Sequence, residues 1–252
     1  RMRNTLLTDA EFIPERANVL SEYEIQNSNP GEVLSWNVIA TAFQNHGYHH
    51  DTIGWRSDIE GYTTLKLKRF YDRYYWPNNA TLIVAGDIDE SFLNASVTHA
   101  FGHLKKGETY VGPHRVDMAQ QGQRRTTLVR ETPLRIMYIG YKAPAFTHPD
   151  WWPLMLGMEY LTRGETSPLY KALVDTHRAT DVDGTLYPTH DPYLAYFTIH
   201  GREHVSYDDI ESAFMKCMHT VTHAPLTAKA LLPYKEMLLA EEAKSRDGSR
   251  HI

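Results

Sequence analysis

The first half of the chain is dominated by segments in which apolar residues recur at helical spacing. In residues 14–28, PERANVLSEYEIQNS, Val19 and Tyr23 are four positions apart and would share one side of a helix. Pro14 suits the first turn of such a helix, because proline has no backbone N–H to donate. The same periodicity predicts further helices over residues 32–45, 63–75 and 89–104.

Short apolar runs between the helical segments predict β-strands. Residues 80–86, ATLIVAG, are rich in β-branched residues and end at glycine, which is typical of a buried strand. Three later strands are predicted at TTLVRE (126–131), RIMYIGYKA (135–143) and YLAYFTIHG (193–201). Helices are predicted around them over residues 148–164, 167–177, 207–221 and from 231 onward.

Residues 105–125 lack hydrophobic periodicity and are rich in glycine and charge, so we interpret them as a linker. This interpretation places a first domain at 1–104 and a second at 126–252. The order strand, glycine, polar connector, helix is predicted for residues 82–101 and again for 196–218. The repeat suggests two related α/β domains, although the identity between the two stretches is too weak to prove a duplication.

Composition narrows the class of protein. Hydrophobic residues make up 42% of the chain and charged residues 23%, a globular profile, and no apolar run has the length of a membrane span. Lys and Arg number 26 against 31 Asp and Glu, a net charge of -5 with His neutral, which gives no reason to expect nucleic acid as a partner. Cys217 is the single cysteine, which excludes an internal disulfide and a cysteine-rich zinc site.

Two glutamates in the predicted first helix are candidate functional residues. Glu15 and Glu22 are seven positions apart, so they would lie on one helix face, about 10 Å apart along the axis. A carboxylate pair arranged in this way could bind a metal ion and orient its other ligands. A solvated helix face is the alternative, and the stretch by itself favours that interpretation.

The stretch HGYHHD brings three histidines together, His46, His49 and His50. Imidazole is a common zinc ligand. However, the chain contains neither HExxH nor HxxEH, the motifs that place two histidines on one helix face. Because the cluster falls in a segment that contains glycine, a polar loop is the preferred interpretation.

Several segments together resemble the pitrilysin/insulinase family of zinc metallopeptidases, the inverzincins. ERANVLSE, HHDTIGWRSDI and RFYDRYYWPNNATLIVAGDID occur in the order and approximate spacing of that family, and YWPNNATLIVAGDID is the most specific stretch. YIGYKAP and LTRGETSPLYKALV resemble the start of the family's second domain, so the likeness spans most of residues 11–182. The resemblance, nearest to short bacterial members, implies an α+β fold of two tandem, related α/β domains. Each would be a mostly antiparallel sheet packed against helices.

The resemblance also implies zinc chemistry. In the family, an HxxEH helix supplies two zinc-binding histidines and a glutamate general base, and the last glutamate of a later ERxxVxxE pattern is the third ligand. That position is Glu22 here, and Glu15 would support the site from behind the ligands. Because the chain has no HxxEH, we expect it to be a fragment that is inactive and holds no catalytic zinc by itself.

Family members often place an arginine and a tyrosine after the SxLYxxL helix, where they contact the substrate carbonyl. The corresponding positions are Val174 and Thr180, neither of them a strong substitute, although Arg178 is near. Some relatives divide these roles between two chains. We therefore expect the full protein to be the zinc-bearing chain of a homo- or hetero-oligomer that cleaves a peptide or protein substrate, in a bacterial periplasm or cell envelope. The alternatives are a non-catalytic scaffold or assembly subunit of the same fold, and a peptide-binding module without turnover.

Overall fold

The computed structural model of the chain describes residues 2–108, 112, 115–224 and 226–246. Part of the predicted linker, at 109–111 and 113–114, and the end of the predicted second domain lie outside the described residues. The helices are α1 (Asp9–Ser28), α2 (Pro30–Ala42), α3 (Arg56–Glu60), α4 (Thr64–Tyr74), α5 (Glu90–Phe101), α6 (Trp151–Thr162), α7 (Tyr207–His223) and α8 (Ala228–Arg246). The strands are β1 (Arg135–Ala143), β2 (Ala179–Leu186) and β3 (Tyr193–Gly201). Within this described part, no helix combines the length and apolar character needed to cross a lipid bilayer.

The described residues fall into two compact units that alternate along the sequence. Unit 1 contains the described parts of Arg1–Gln26 and Asp51–Val116. Unit 2 contains those of Asn27–His50 and Asp117–His251. The division of the chain into two domains at one linker stays a prediction.

Unit 2 is built on an antiparallel sheet with the strand order β1–β3–β2. The central strand β3 pairs with β1 on one side and with β2 on the other, where Val182 lies opposite Ile199. One irregularity interrupts the pairing of β2, between Ala179 and Asp181. Since side chains alternate along each strand, one face of the sheet is buried under helices and the other is more open. The fold class is α+β, as predicted.

The buried face of this sheet forms the core of unit 2 together with α6, α7 and a π-helical turn at Tyr170–Val174. Phe197 of β3 and Phe214 of α7 are 1% and 0% exposed, and their rings meet edge to face with centroids 5.1 Å apart. Such an aromatic pair adds about 0.5–1.5 kcal/mol to the stabilisation that burial provides. Further buried members of the core are Leu161, Leu169, Leu173, Ile199 and Ile210.

The sequence predicts β1 and β3 correctly but misses β2. The β2 segment, ATDVDGTL, contains two aspartates and a glycine, which are depleted from strands. Val182 and Leu186 are nevertheless buried against the helices. Gly184 permits the close approach of α6, because a Cβ at that position would lie 2.8 Å from Thr162 Cγ2. Tertiary packing therefore outweighs the weak strand propensity of this segment.

Unit 1 contains α1 as far as Gln26, together with α3, α4 and α5. Among its described residues, only Ile59 and Tyr71 are buried apolar side chains, at 1% and 6% exposed. Polar contacts also join its elements: the Arg3 guanidinium lies 3.0 Å from the Asp72 carboxylate and 3.7 Å from the centroid of the Trp76 ring. Unit 1 is thus helical in its described part and has little apolar core.

The strands predicted at 80–86 and 126–131 are wrong. Neither segment is paired into a sheet, and Ile83 and Val129 are 84% and 94% exposed. A strand is stable when its N–H and C=O groups pair with a neighbouring strand, and no segment within the described ranges pairs with either one. The β-branched composition therefore indicated a strand propensity, but these segments do not form strands.

The first helix begins at Asp9 rather than at Pro14, because Thr8 and Glu11 cap it. The backbone N–H and the Oγ1 hydroxyl of Thr8 donate to Glu11 Oε2 at 3.3 and 3.0 Å, and the Phe12 N–H donates to the Thr8 carbonyl at 2.9 Å. Pro14 consequently lies inside α1, so its predicted place in the first turn is wrong. The helix remains continuous through both candidate glutamates.

Candidate functional site

The predicted pair Glu15 and Glu22 lies on α1, and both side chains are exposed. Each carboxylate receives one long hydrogen bond from its own helix. Asn18 Nδ2 donates to Glu15 Oε2 at 3.5 Å, and Gln26 Nε2 donates to Glu22 Oε1 at 3.5 Å. Hydrogen bonds as long as 3.5 Å are weak. Both carboxylates can therefore turn towards another partner at little cost.

A different stripe of α1 is partly buried. Phe12, Arg16, Leu20 and Tyr23 are partly buried and recur at spacings of three and four residues. Arg16 Nη1 donates to the backbone carbonyl of Tyr62 at 3.1 Å. Helical geometry turns the two glutamates about 100° away from the centre of this stripe. The pair therefore lies on an exposed flank of the helix.

The described residues do not form a metal site around Glu22. A protein zinc site takes three or four ligands. In the described ranges, no group of three or more His, Cys, Asp or Glu residues could hold a metal ion. The described residues therefore do not complete a catalytic zinc site around Glu22, and the roles of Glu22 as ligand and Glu15 as its support stay predictions.

The histidine cluster is used by the fold of unit 2. His46 Nδ1 accepts the Tyr48 N–H at 3.1 Å, so in the neutral ring the hydrogen is on Nε2, which lies 3.3 Å from Asp191 Oδ2. His49 Nδ1 donates to the backbone carbonyl of Phe43 at 2.6 Å. These contacts fasten the segment after α2 and leave fewer ring nitrogens for a metal ion. They agree with the interpretation of the stretch as a polar loop.

An acidic residue from the predicted linker holds the same loop. Asp117 Oδ1 accepts the backbone N–H groups of Gln44, Asn45 and His46 at 2.9, 2.6 and 3.4 Å. Burial raises the pKa of the Asp117 carboxyl, but the three N–H donors and the charge of Lys142 outweigh it, so the pKa lies below its ordinary value. Burial in turn lowers the pKa of the Lys142 ammonium. No local sequence signal marks this arrangement, because the partners are far apart in the chain.

Arg124, from the same segment, caps the end of α2. Its Nη1 donates to the backbone carbonyls of Thr41 and Ala42 at 3.0 and 3.2 Å. The last carbonyls of a helix have no partner inside the helix, and a cationic side chain there is favourable. Residues 117–124 therefore help to secure α2 and the loop that follows it.

The positions that correspond to the family arginine and tyrosine lie in an irregular stretch of unit 2. Val174 ends the π-helical turn, and Thr180 lies at the irregularity in β2, where its hydroxyl donates to the His200 carbonyl at 3.1 Å. The nearby Arg178 Nε lies 3.1 Å from Asp209 Oδ2. Arg178 is thus engaged in an ion pair, while Val174 and Thr180 carry neither a cation nor a phenol. This stretch does not reproduce the family's substrate-contacting pair.

Comparisons with known proteins identify relatives of the chain. The family described as "Peptidase M16 inactive domain" matches residues 62–238. The zinc protease PqqE of Helicobacter pylori is 32% identical over 177 residues, which are 68% of this chain and 40% of that protein. The chain therefore spans less than half the length of this relative.

Two solved structures extend the comparison to the fold. The crystal structure of a protease from Helicobacter pylori superposes with a TM-score of 0.89 and 25% identity, covering 97% of this chain and 60% of that one. The periplasmic protease PqqL from Escherichia coli gives a TM-score of 0.67 and 18% identity, covering 100% of this chain and 28% of that one. At 18% identity the second likeness concerns the fold alone.

Proposed function

The chain belongs to the M16 peptidase family, whose inactive-domain description matches residues 62–238, and we propose that the full protein is a zinc-dependent metalloendopeptidase. The resemblance to this family seen in the sequence is thereby confirmed. The observation that carries the proposal is the 32% identity to the zinc protease PqqE over 68% of the chain. Because the chain spans 40% of that relative, the activity is assigned to the full protein, and the chain alone is expected to be inactive.

Within this proposal, Glu22 is a zinc ligand and Glu15 supports the site. The two carboxylates share an exposed flank of α1, and Glu22 accepts a long hydrogen bond of 3.5 Å from Gln26. About 10 Å of helix separates the pair, so Glu15 would act by orienting groups around the ligands rather than by binding the same ion. The other ligands, two histidines, and the general base would come from an HxxEH helix that this chain does not contain. When bound, zinc would lower the pKa of its water and polarise the peptide carbonyl.

The test of this assignment is Glu22→Gln in the full-length protein. We expect it to lose stoichiometric zinc and peptide hydrolysis, because an amide is a poor substitute for an anionic ligand. Glu15→Gln should weaken zinc binding by about 10- to 100-fold, the usual effect of removing a group that orients a ligand. Zinc content is measured by elemental analysis. Peptide hydrolysis is measured with a fluorescence-quenched peptide substrate.

Glu11→Gln is the matched control on the same helix. Its amide oxygen can still accept the hydrogen bonds from Thr8 that cap α1. Zinc content and hydrolysis should be unchanged in this variant. Full zinc retention by Glu22→Gln would show that Glu22 is not a ligand, even if the enzyme proved to be a zinc peptidase.

We further propose that a related chain supplies the substrate-contacting arginine and tyrosine. Val174 and Thr180 occupy the corresponding positions here, and Arg178 is paired with Asp209. The full-length protein should therefore co-purify with a related chain and need it for full activity. A full-length homomer that cleaves peptides with no second kind of chain present would contradict this two-chain proposal.

The alternative function is a non-catalytic scaffold or assembly subunit of the same fold. The description of the matched family as an inactive domain favours it. A scaffold would assemble with partners in its full-length form yet bind no zinc and cleave no peptide. A peptide-binding module would instead show affinity for peptides without turnover, so zinc content, turnover and peptide affinity together separate the three cases.

We also propose a location in the bacterial periplasm or cell envelope. The proposal rests on the resemblance of the sequence to short bacterial members of the family. Fractionation of cells that express the full-length protein tests it, with a known cytoplasmic enzyme as the marker for leakage. Recovery of the protein with that marker alone would contradict the proposal.

A further inference from the structure

Two histidines near the end of α7 are stacked on its exposed side. His219 and His223 are four positions apart, so they project from the same side of the helix, one turn from each other. Their ring centroids are 4.1 Å apart, and the ring planes meet at 21°. Both side chains are exposed, and helical geometry places them on the side of α7 opposite the buried Ile210 and Phe214. The core of unit 2 therefore gives no reason for this pair.

Hydrogen bonding determines which nitrogen of His223 is available. Its Nδ1 lies 2.8 Å from the backbone carbonyl oxygen of His219 and 3.2 Å from Thr222 Oγ1. Because a carbonyl oxygen only accepts, the hydrogen is on Nδ1, and the neutral ring keeps its lone pair on Nε2. Histidines that bind metals commonly donate their other ring N–H to a carbonyl in this way, which orients the ring and raises its basicity.

We propose that His219 and His223 form a two-imidazole binding site for a divalent transition-metal ion, with Cu²⁺ bound more tightly than Zn²⁺. Imidazole is a good ligand for both ions, and the general order of affinities places Cu²⁺ above Zn²⁺. Two nitrogens that bind one ion at about 2 Å lie about 3 Å apart. The two rings lie side by side on one helix face, and rotation of the side chains about their χ angles would turn one nitrogen of each ring towards a shared ion.

The remaining coordination positions of the ion would hold water or a ligand from another molecule. Within the described ranges, no third His, Cys, Asp or Glu completes a group of metal ligands. The site is therefore open, unlike a structural zinc site with four protein ligands. Binding requires neutral imidazoles, so it weakens as the solution becomes acidic.

This site does not depend on the proposed peptidase activity, but it affects the measurement of zinc. A zinc ion at His219 and His223 would be counted together with any zinc held through Glu22. The Glu22→Gln comparison is therefore best made in a protein that also carries His219→Ala and His223→Ala. Zinc bound by His219 and His223 is then absent from the background, so any change in zinc content caused by Glu22→Gln reports on the proposed catalytic zinc.

Isothermal titration calorimetry of the 252-residue chain with CuCl₂, and separately with ZnCl₂, tests the proposal. We expect one Cu²⁺ to bind per chain at this site, and to bind more tightly than Zn²⁺. His219→Ala and His223→Ala should each weaken Cu²⁺ binding by about tenfold or more, since the second imidazole of a chelate acts at a high effective concentration. Cu²⁺ should also raise the melting temperature of the original chain more than that of either variant.

His99→Ala is the matched control. His99 is also exposed on a helix and has a histidine four positions later, but His103 lies beyond the end of α5 at Phe101. Removing His99 should leave Cu²⁺ binding unchanged. Equal loss in the control, or loss in only one of the two α7 variants, would overturn the two-imidazole site. Unchanged affinity in both α7 variants would overturn it as well.

Discussion

Unit 1 and unit 2 contain the same kinds of apolar side chain but bury them very differently. Phe214 on α7 of unit 2 is 0% exposed, whereas Phe92 on α5 of unit 1 is 73% exposed. The two units differ in whether a second layer of secondary structure covers the apolar side of their helices. In unit 2 a three-stranded sheet covers the apolar side of α7, and in the described part of unit 1 there is no strand at all. A helix buries its apolar side only when another element offers a matching surface.

The two units differ in how much apolar surface they bury, and this difference affects stability. Burial of apolar surface is the main favourable contribution to folding. Unit 2 has a continuous cluster of buried residues, while unit 1 buries Ile59 and Tyr71 among its described apolar side chains. We therefore expect most of the free energy of unfolding of this chain to come from unit 2.

The largest expected effect on the free energy of unfolding comes from truncating a helical phenylalanine in each of the two units. Phe214→Ala should lower the free energy of unfolding by about 3–5 kcal/mol, because it leaves a cavity beside Phe197. Phe92→Ala, also on a helix, should change it by less than about 0.5 kcal/mol. Urea unfolding followed by circular dichroism measures both values.

A milder substitution keeps this comparison informative if Phe214→Ala does not fold. Phe214→Leu retains most of the buried volume and should cost less than the alanine substitution. Equal effects at positions 214 and 92 would show that unit 1 contributes as much stability as unit 2. That result would contradict the contrast drawn between the units.

An intermediate effect is expected at Asp117, which holds the loop after α2 in unit 2. Asp117→Ala should lower the free energy of unfolding by about 2 kcal/mol, because three backbone N–H groups lose a charged acceptor. Asp117→Asn should cost less, since its amide oxygen can still accept. The same urea titrations measure both variants.

The pH dependence isolates the contribution of the Asp117 charge. The pKa of Asp117 is lowered by folding, so its ionic contribution is fully present above the ordinary unfolded value of about 3.9 and is lost as the pH falls through the folded value. The stability gap between the original chain and Asp117→Asn should therefore narrow as the pH falls below about 4. A gap that stays constant through this range would show that the carboxylate charge contributes nothing.

The smallest expected effect compares isoleucines in a predicted and an observed strand. Ile199→Val removes a methylene from the sheet core of unit 2 and should cost about 1 kcal/mol. Ile83→Val in unit 1 should cost less than about 0.5 kcal/mol, since Ile83 is 84% exposed. A cost at Ile83 that matches the cost at Ile199 would indicate that residues 80–86 are buried in solution.

Local patterns in the sequence were sufficient for much of the fold. β1 and β3 occur at the predicted residues, and the periodic apolar segments form helices with ends shifted by a few positions. β2 was missed, because its aspartates and glycine are residue types depleted from strands, although two of its apolar side chains are buried. Residues 80–86 show the opposite failure, since strand propensity is present there and pairing is absent from the described residues.

The candidate sites also divide into residues that local patterns identify and residues that only the tertiary structure brings together. Glu15 and Glu22 were singled out by their helical spacing and given roles by a family resemblance, and the structure places them on an exposed flank of one helix. Asp117 was passed over as part of a linker, because its partners at residues 44–46 are far away in the sequence. A spacing rule recognises groups that one helix or strand brings together. It does not recognise groups that meet only after folding.

The sequence by itself determined the M16 resemblance, the helical segments, two of the three strands and the spacing that places Glu15 with Glu22 and His219 with His223. These features depend on neighbours within a few turns, or on motifs that survive as short runs of residues. Only the tertiary structure decided that β2 belongs to the sheet, that residues 80–86 stay exposed and that Asp117 secures the loop after α2. The physical reason is that burial and backbone pairing depend on distant partners, whose presence no local pattern records.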